Sequence, residues 1–155
     1  MLCRYDRSIF KSDKGFCIFA YSTSDESVPK EARNRSYYHD DKIHFTAIGY
    51  HLIATDDLYG GTLRLWNTIS HKNGISVDCV DTSNVENVKA AIRPETKAIY
   101  LETPSNPMMK VADVQAIAEL AHAHECLLIV DNTFLSPYFQ KPLTLGADIV
   151  VHSGT

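Results

Sequence analysis

No apolar run in this 155-residue chain approaches the about 20 residues that a membrane-spanning helix requires, and Met1–Phe10 is too polar for a secretory signal. A cytoplasmic location is therefore the expectation. The four cysteines, Cys3, Cys17, Cys79 and Cys126, form no CxxC pair, so nothing points to a zinc knuckle or a redox dithiol. They read as small buried hydrophobes or surface thiols in a reducing compartment. A large excess of charge of one sign is also missing. A formal net charge of −4, with no basic run interleaved with aromatics, argues against a nucleic-acid surface. Glycine-rich phosphate loops of the GxGxxG or Walker type are missing, and so is HExxH. The one close histidine pair, His122 and His124, stands two positions apart on an expected helix, so the two face different sides and exposure to solvent is expected over metal binding.

What remains is an ordinary globular composition, 45% hydrophobic, sized for one domain or a piece of a larger one. From His51 onward strands and helices alternate. Short apolar runs at Leu52–Ala54, Val77–Val80, Ala98–Leu101, Leu127–Val130 and Asp148–Val151 read as strands, the last two as fully buried parallel ones. Thr62–Asn73, with apolar residues at Leu63, Leu65, Trp66 and Ile69 in roughly helical spacing and Gly74 as a stop, reads as a helix. Val85, Val88, Ala91 and Ile92 mark a second helix ended by Pro94, and Asp113 caps a third that runs to about Glu125. Such alternation predicts an α/β fold, a mainly parallel sheet covered by helices. Residues 1–48 differ: they are polar, carry one short apolar run at Phe16–Tyr21 and hold no sustained period, so poor packing or partial disorder is expected.

Ligands of open α/β sheets bind beyond the carboxyl ends of the strands. Three polar loops fall there. Asp57-Leu58-Tyr59-Gly60-Gly61-Thr62 follows the first strand, Glu102-Thr103-Pro104-Ser105-Asn106-Pro107 the third, and Asp131-Asn132-Thr133 the fourth. Taken singly they read as turns or caps, the glycine pair as a tight turn before a helix. Together they converge on one crevice, joined by His152-Ser153-Gly154-Thr155 after the last strand.

The motifs DLYGGT (57–62), ETPSNP (102–107), VDNTF (130–134) and PLTLGADIVVHS (142–153), with Thr155 closing the series, resemble the Cys/Met-metabolism family of pyridoxal-phosphate enzymes. Cystathionine γ-synthase, cystathionine γ-lyase and methionine γ-lyase belong to it. The resemblance runs from about Gly49 to Thr155. It implies part of the large domain of a fold-type I enzyme, with helices on both faces of the sheet, and pyridoxal 5′-phosphate as cofactor. It further implies amino-acid substrates, β/γ-elimination or γ-replacement in transsulfuration, and assembly as a homodimer or homotetramer. Carried over by position, Tyr59 resembles the tyrosine that stacks on the cofactor ring, and Asp131 the carboxylate on the pyridine nitrogen. Asn106 resembles the residue near the phenolic oxygen, and Ser153 and Thr155 the hydroxyls that hold the phosphate. Gly154 stands where the family usually has a small residue such as alanine. The family's Schiff-base lysine would follow Thr155 directly, so no catalytic residue is identified; neither Lys110 nor Lys141 is at its position. The chain alone is accordingly expected to be inactive, with weak or no cofactor binding as the alternative reading of a remnant.

The family's phosphate-cradling turn, expected about fifteen residues before Gly49, is not legible. Read one base later, the codons of Arg33 to Asp41 permit Gly-Ile-Ala-Ala-Ile-Thr-Met-Met, close to that turn. Arg33 to about Ile48 is therefore read as a frameshifted stretch of an ancestral gene, a reading that the nucleotide sequence decides.

Overall fold

A computed structural model describes residues 10–11, 17–19, 44–45, 49–72 and 74–153. Three short strands, β1 (Phe10–Lys11), β2 (Cys17–Phe19) and β3 (His44–Phe45), pair antiparallel in the order β1-β2-β3. The expectations of disorder and of a frameshift over residues 1–48 otherwise lie outside the described residues.

The main sheet has five parallel strands: β4 (His51–Thr55), β5 (Ser76–Val80), β6 (Thr96–Glu102), β7 (Leu127–Asp131) and β8 (Ile149–Val151), ordered β5-β4-β6-β7-β8. Because side chains alternate across a strand, each strand feeds two layers. Ile53, Ile99, Leu101, Leu128 and Val130 face one way and pack against α2 (Val85–Ala91) and α3 (Val114–Ala123) through Val88, Ile117, Ala118 and Ala121. Leu52, Ala54, Ala98, Tyr100 and Ile129 face the other way, against Leu58 and Trp66. Trp66 opens a π-helical stretch, Trp66–Ser70, that continues α1 (Gly60–Leu65). Helices thus cover both faces, and the α/β expectation is met.

Local signals set the helix ends. The Asp113 carboxylate accepts from the Ala116 amide at 3.0 Å, and the Asn84 side chain accepts from the Glu86 amide at 3.0 Å. At the far end of α3, His124 is the cap and Glu125 turns left-handed with φ 56°, so this helix stops before the expected Glu125. Ile92 is extended and closes α2 one residue early. Gly60 and Gly61 lie inside the first turn of α1 rather than in a turn ahead of it; first-turn amides have no partner within the helix, which makes this end tolerant of glycine.

One expectation is corrected. β7 is buried, but β8 is only half-buried along its length and Asp148 is exposed, so the last strand is not fully buried. It ends the strand order and pairs with β7 alone in the described sheet. Two short elements without a strong periodic signal, α4 (Ser136–Phe139) and a 3-10 turn at Pro142–Leu145, link β7 to β8. Among the described residues, no helix is long and apolar enough to cross a membrane. None of their His, Cys, Asp and Glu side chains form a group of three that could hold a metal ion. His122 and His124 are both exposed, and the His122 ring meets the Asp148 carboxylate at 3.0 Å.

Candidate functional site

The carboxyl ends of β4, β6, β7 and β8 open onto the same edge of the sheet, because all five strands run in one direction. Asp131 is the last residue of β7 and only 2% exposed. Its Oδ1 accepts from the Thr133 amide at 3.1 Å and the Thr133 hydroxyl at 2.5 Å, and its Oδ2 accepts from the Tyr100 hydroxyl at 3.1 Å. These donors are neutral. They solvate a buried carboxylate without cancelling its charge, so it can still meet a protonated nitrogen.

Beside it stands Glu102, the last residue of β6, in register with Asp131 and 6% exposed. Glu102 Oε2 accepts from the backbone amide of Tyr59 at 3.0 Å, which fastens the first loop to the sheet end. Tyr59 precedes α1, and its carbonyl accepts from the amides of Thr62 and Leu63. Its ring is half exposed and lies against Gly61, where an added Cβ would come within 2.4 Å of the ring. Asp57 closes the neighbouring loop: its carboxylate accepts from the Ser105 hydroxyl and, at 2.8 Å, from the Met108 amide. Asn106 is half-buried on that loop, its amide donating to the Asp57 carbonyl at 3.3 Å. Both Thr103-Pro104 and Asn106-Pro107 are cis.

On the other side, Ser153 donates its amide to the Thr133 hydroxyl at 3.0 Å, so the ends of β8 and β7 meet through Thr133. Tyr59, Asn106 and Ser153 therefore stand on loops joined by short bridges to one another and to Asp131 at the end of β7, with Asp57, Glu102 and Thr133 as the connectors. Thr155 and Gly154 lie outside the described residues. Asn132, fully buried, holds the chain instead: its side-chain amide donates to the carbonyls of Ser136 and Gln140, and its Oδ1 accepts from Gln140.

Tyr100, Glu102 and Thr133 carry much of this geometry, yet sequence reasoning passed over their roles. Glu102 and Thr133 were within quoted motifs; Tyr100 gave only the signal of a strand residue. Burial, together with the charges of Asp131 and Glu102, pushes the Tyr100 phenol well above its ordinary ionisation range, so it remains a donor. Lys110 is held between Asp56 at 3.2 Å and Asp81 at 3.1 Å, and these contacts raise its pKa.

The chemistry of this set suits a flat, cationic heterocycle with an anionic tail: a buried acid, a half-open aromatic ring and a hydroxyl at a strand end. The family profile described as Cys/Met metabolism PLP-dependent enzyme matches residues 39–155. The chain belongs to this family. Its cofactor is pyridoxal 5′-phosphate. The match begins ten residues ahead of Gly49. Cystathionine beta-lyase of Lactococcus lactis subsp. cremoris (strain MG1363) is 56% identical over 107 residues, covering 69% of this chain and 28% of that protein. Cystathionine gamma-lyase of Bacillus subtilis (strain 168) matches with the same identity and coverage. The crystal structure of cystathionine gamma-lyase from Lactobacillus plantarum complexed with L-serine aligns with a TM-score of 0.68 at 54% identity, over 69% of this chain and 28% of that one. The chain thus spans 28% of the length of these relatives. Their names include β-lyase as well as γ-lyase.

Proposed function

We propose that residues 49–155 form part of the cofactor-binding domain of a pyridoxal-phosphate enzyme acting on sulfur amino acids, by β- or γ-elimination or γ-replacement. The buried Asp131 at the end of β7, hydrogen-bonded by neutral groups, carries this reading. Asp131 receives the protonated ring nitrogen, and keeping that proton in place is its task. Tyr59 offers the ring a half-open aromatic face. Asn106 serves the phenolic oxygen, and Ser153 and Thr155 the phosphate. When bound, the cofactor supplies an electron sink for the carbanion left by loss of a substrate's α-proton.

Within the chain as given, none of the described lysines is proposed to act on the substrate. Lys110 is kept charged by Asp56 and Asp81, whereas a nucleophilic amine must be neutral. The 155-residue polypeptide is proposed to bind the cofactor without turning over cystathionine. The exposed apolar side chains Phe134, Tyr138, Phe139 and Leu143 support burial against further protein, as in a homodimer or homotetramer.

Titrating the full chain with pyridoxine 5′-phosphate, which needs no lysine, tests the reading through the fluorescence of the single tryptophan, Trp66. Asp131→Asn should weaken binding by about tenfold or more, the worth of one charge-assisted hydrogen bond. Equal affinity in the variant would remove Asp131 from the cofactor. Release of a keto acid from cystathionine by the purified chain would overturn the proposed lack of turnover.

A further inference from the structure

We propose that Tyr100 is a positioning residue, whose hydroxyl holds Asp131 Oδ2 in the orientation that receives the cofactor's ring nitrogen. This rests on the cofactor reading above and adds to it a residue outside the motif series. Tyr100 lies in the middle of β6, opposite Ile129 and two residues before Glu102, so it shares a sheet face with Glu102 and Asp131. The level of Asp131 is about 6–7 Å further along the strand direction. A tyrosine spans that distance; a shorter polar side chain at the same position does not.

The ring has little freedom. Tyr100 is 1% exposed, packed with Leu58, Ala54 and Ile129, and it meets the Trp66 ring edge-on at 5.4 Å and 76°. Its hydroxyl is therefore aimed by the core rather than by a flexible loop. A phenylalanine would serve the packing equally well. The added hydroxyl must find a partner once buried, and it donates to the acid at the sheet end.

The two oxygens of Asp131 are consequently held from different directions. Thr133, on the acid's own loop, fixes Oδ1, and Tyr100, on the neighbouring strand, fixes Oδ2. Rotation of the carboxylate would break one set or the other. An ionised carboxylate oxygen can accept two hydrogen bonds, so the Tyr100 bond does not by itself bar Oδ2 from a ring N–H. The Thr62 hydroxyl, 1% exposed in the first turn of α1, acts on the Tyr100 phenol as a polar neighbour that partly opposes its upward shift. A line of hydroxyls thus runs from the helix behind Tyr59 to the acid. Orientation set in this way favours the protonated nitrogen by directing a charge-assisted bond.

The test uses the full chain with two probes, pyridoxine 5′-phosphate and its 1-deaza analogue, which carries CH in place of the ring nitrogen. Tyr100→Phe should weaken binding of the nitrogen-containing probe by about fivefold, the effect of one hydrogen bond to the acid passed on indirectly to the ring nitrogen. Affinity for the deaza probe should not change. Thr62→Val should show the same selectivity at smaller amplitude, and it decides the matter if Tyr100→Phe fails to fold. Equal losses for both probes, or no loss for either, would overturn the role of Tyr100 and leave the cofactor reading in place. Failure of the unsubstituted chain to bind either probe would overturn both.

Discussion

The backbone amide of Tyr59 donates to Glu102 Oε2 across 3.0 Å, joining residues 43 positions apart. The bond ties the loop carrying the half-open aromatic ring to the end of β6, one strand from Asp131. Glu102→Ala leaves that amide without its acceptor and should cost about 1–3 kcal/mol. Glu102→Gln keeps a carbonyl oxygen and should recover most of the loss. Urea denaturation gives the stability, and hydrogen exchange at the Tyr59 amide, faster in the alanine variant, locates it.

Gly61 makes space for the Tyr59 ring, since an added Cβ would fall 2.4 Å from the ring's Cε1. The clashing atom is the far end of a half-exposed side chain, which can swing away. Gly61→Ala should therefore leave the fold within about 1 kcal/mol, because alanine favours the helix by a similar amount. Binding of pyridoxine 5′-phosphate should nonetheless weaken. Paired denaturation and binding curves measure the split; a large stability loss would count against it.

Gly146 carries a φ of +97°, and a Cβ there would sit 2.8 Å from that of Ala118 on α3. Gly146→Ala should destabilise the chain by about 1–3 kcal/mol, from backbone strain together with the clash. Combining it with Ala118→Gly relieves the contact but not the strain. The double variant should therefore remain less stable than Ala118→Gly alone, as denaturant midpoints would reveal.

At the opposite end of the sheet, His51 is buried, its Nδ1 2.8 Å from the Thr96 hydroxyl and its Nε2 3.4 Å from Asp78. Burial, reinforced by Arg93, lowers its pKa below the ordinary 6.5, against the partial opposition of Asp78. Unfolded, the residue takes its proton near that ordinary value. The unfolded chain then binds more protons between the two pKa values, so the contribution of His51 is full above about pH 6.5 and is lost as the pH falls through the folded value. Melting temperatures measured from about pH 8 down to about pH 5 should decline on the acid side. His51→Gln should flatten that decline; an unchanged slope would exclude His51 as its source.

Signals confined to a few neighbouring residues were legible. The Asp113 cap, the strand at Leu127–Val130 ending in Asp131, and the polar loops after β4 and β6 appear where their local patterns put them. The half-burial of β8 was not legible. A short apolar run has the same composition at the centre or the edge of a sheet, and only the strand order separates the two. The glycine pair at 60–61 likewise reads as a turn in sequence, whereas the structure places it in the first turn of α1.

The sequence by itself determined the α/β alternation, the family and the candidate residues Tyr59, Asn106, Asp131 and Ser153, because periodicity and motif order are properties of the linear chain. The tertiary structure alone decided how these residues are held. Glu102 reaches Tyr59 and Tyr100 reaches Asp131 across 43 and 31 positions, through strands that become neighbours only when the sheet forms. Hydrogen bonds between such distant groups leave no local pattern, since their partners are fixed by register and by which face of the sheet each side chain occupies.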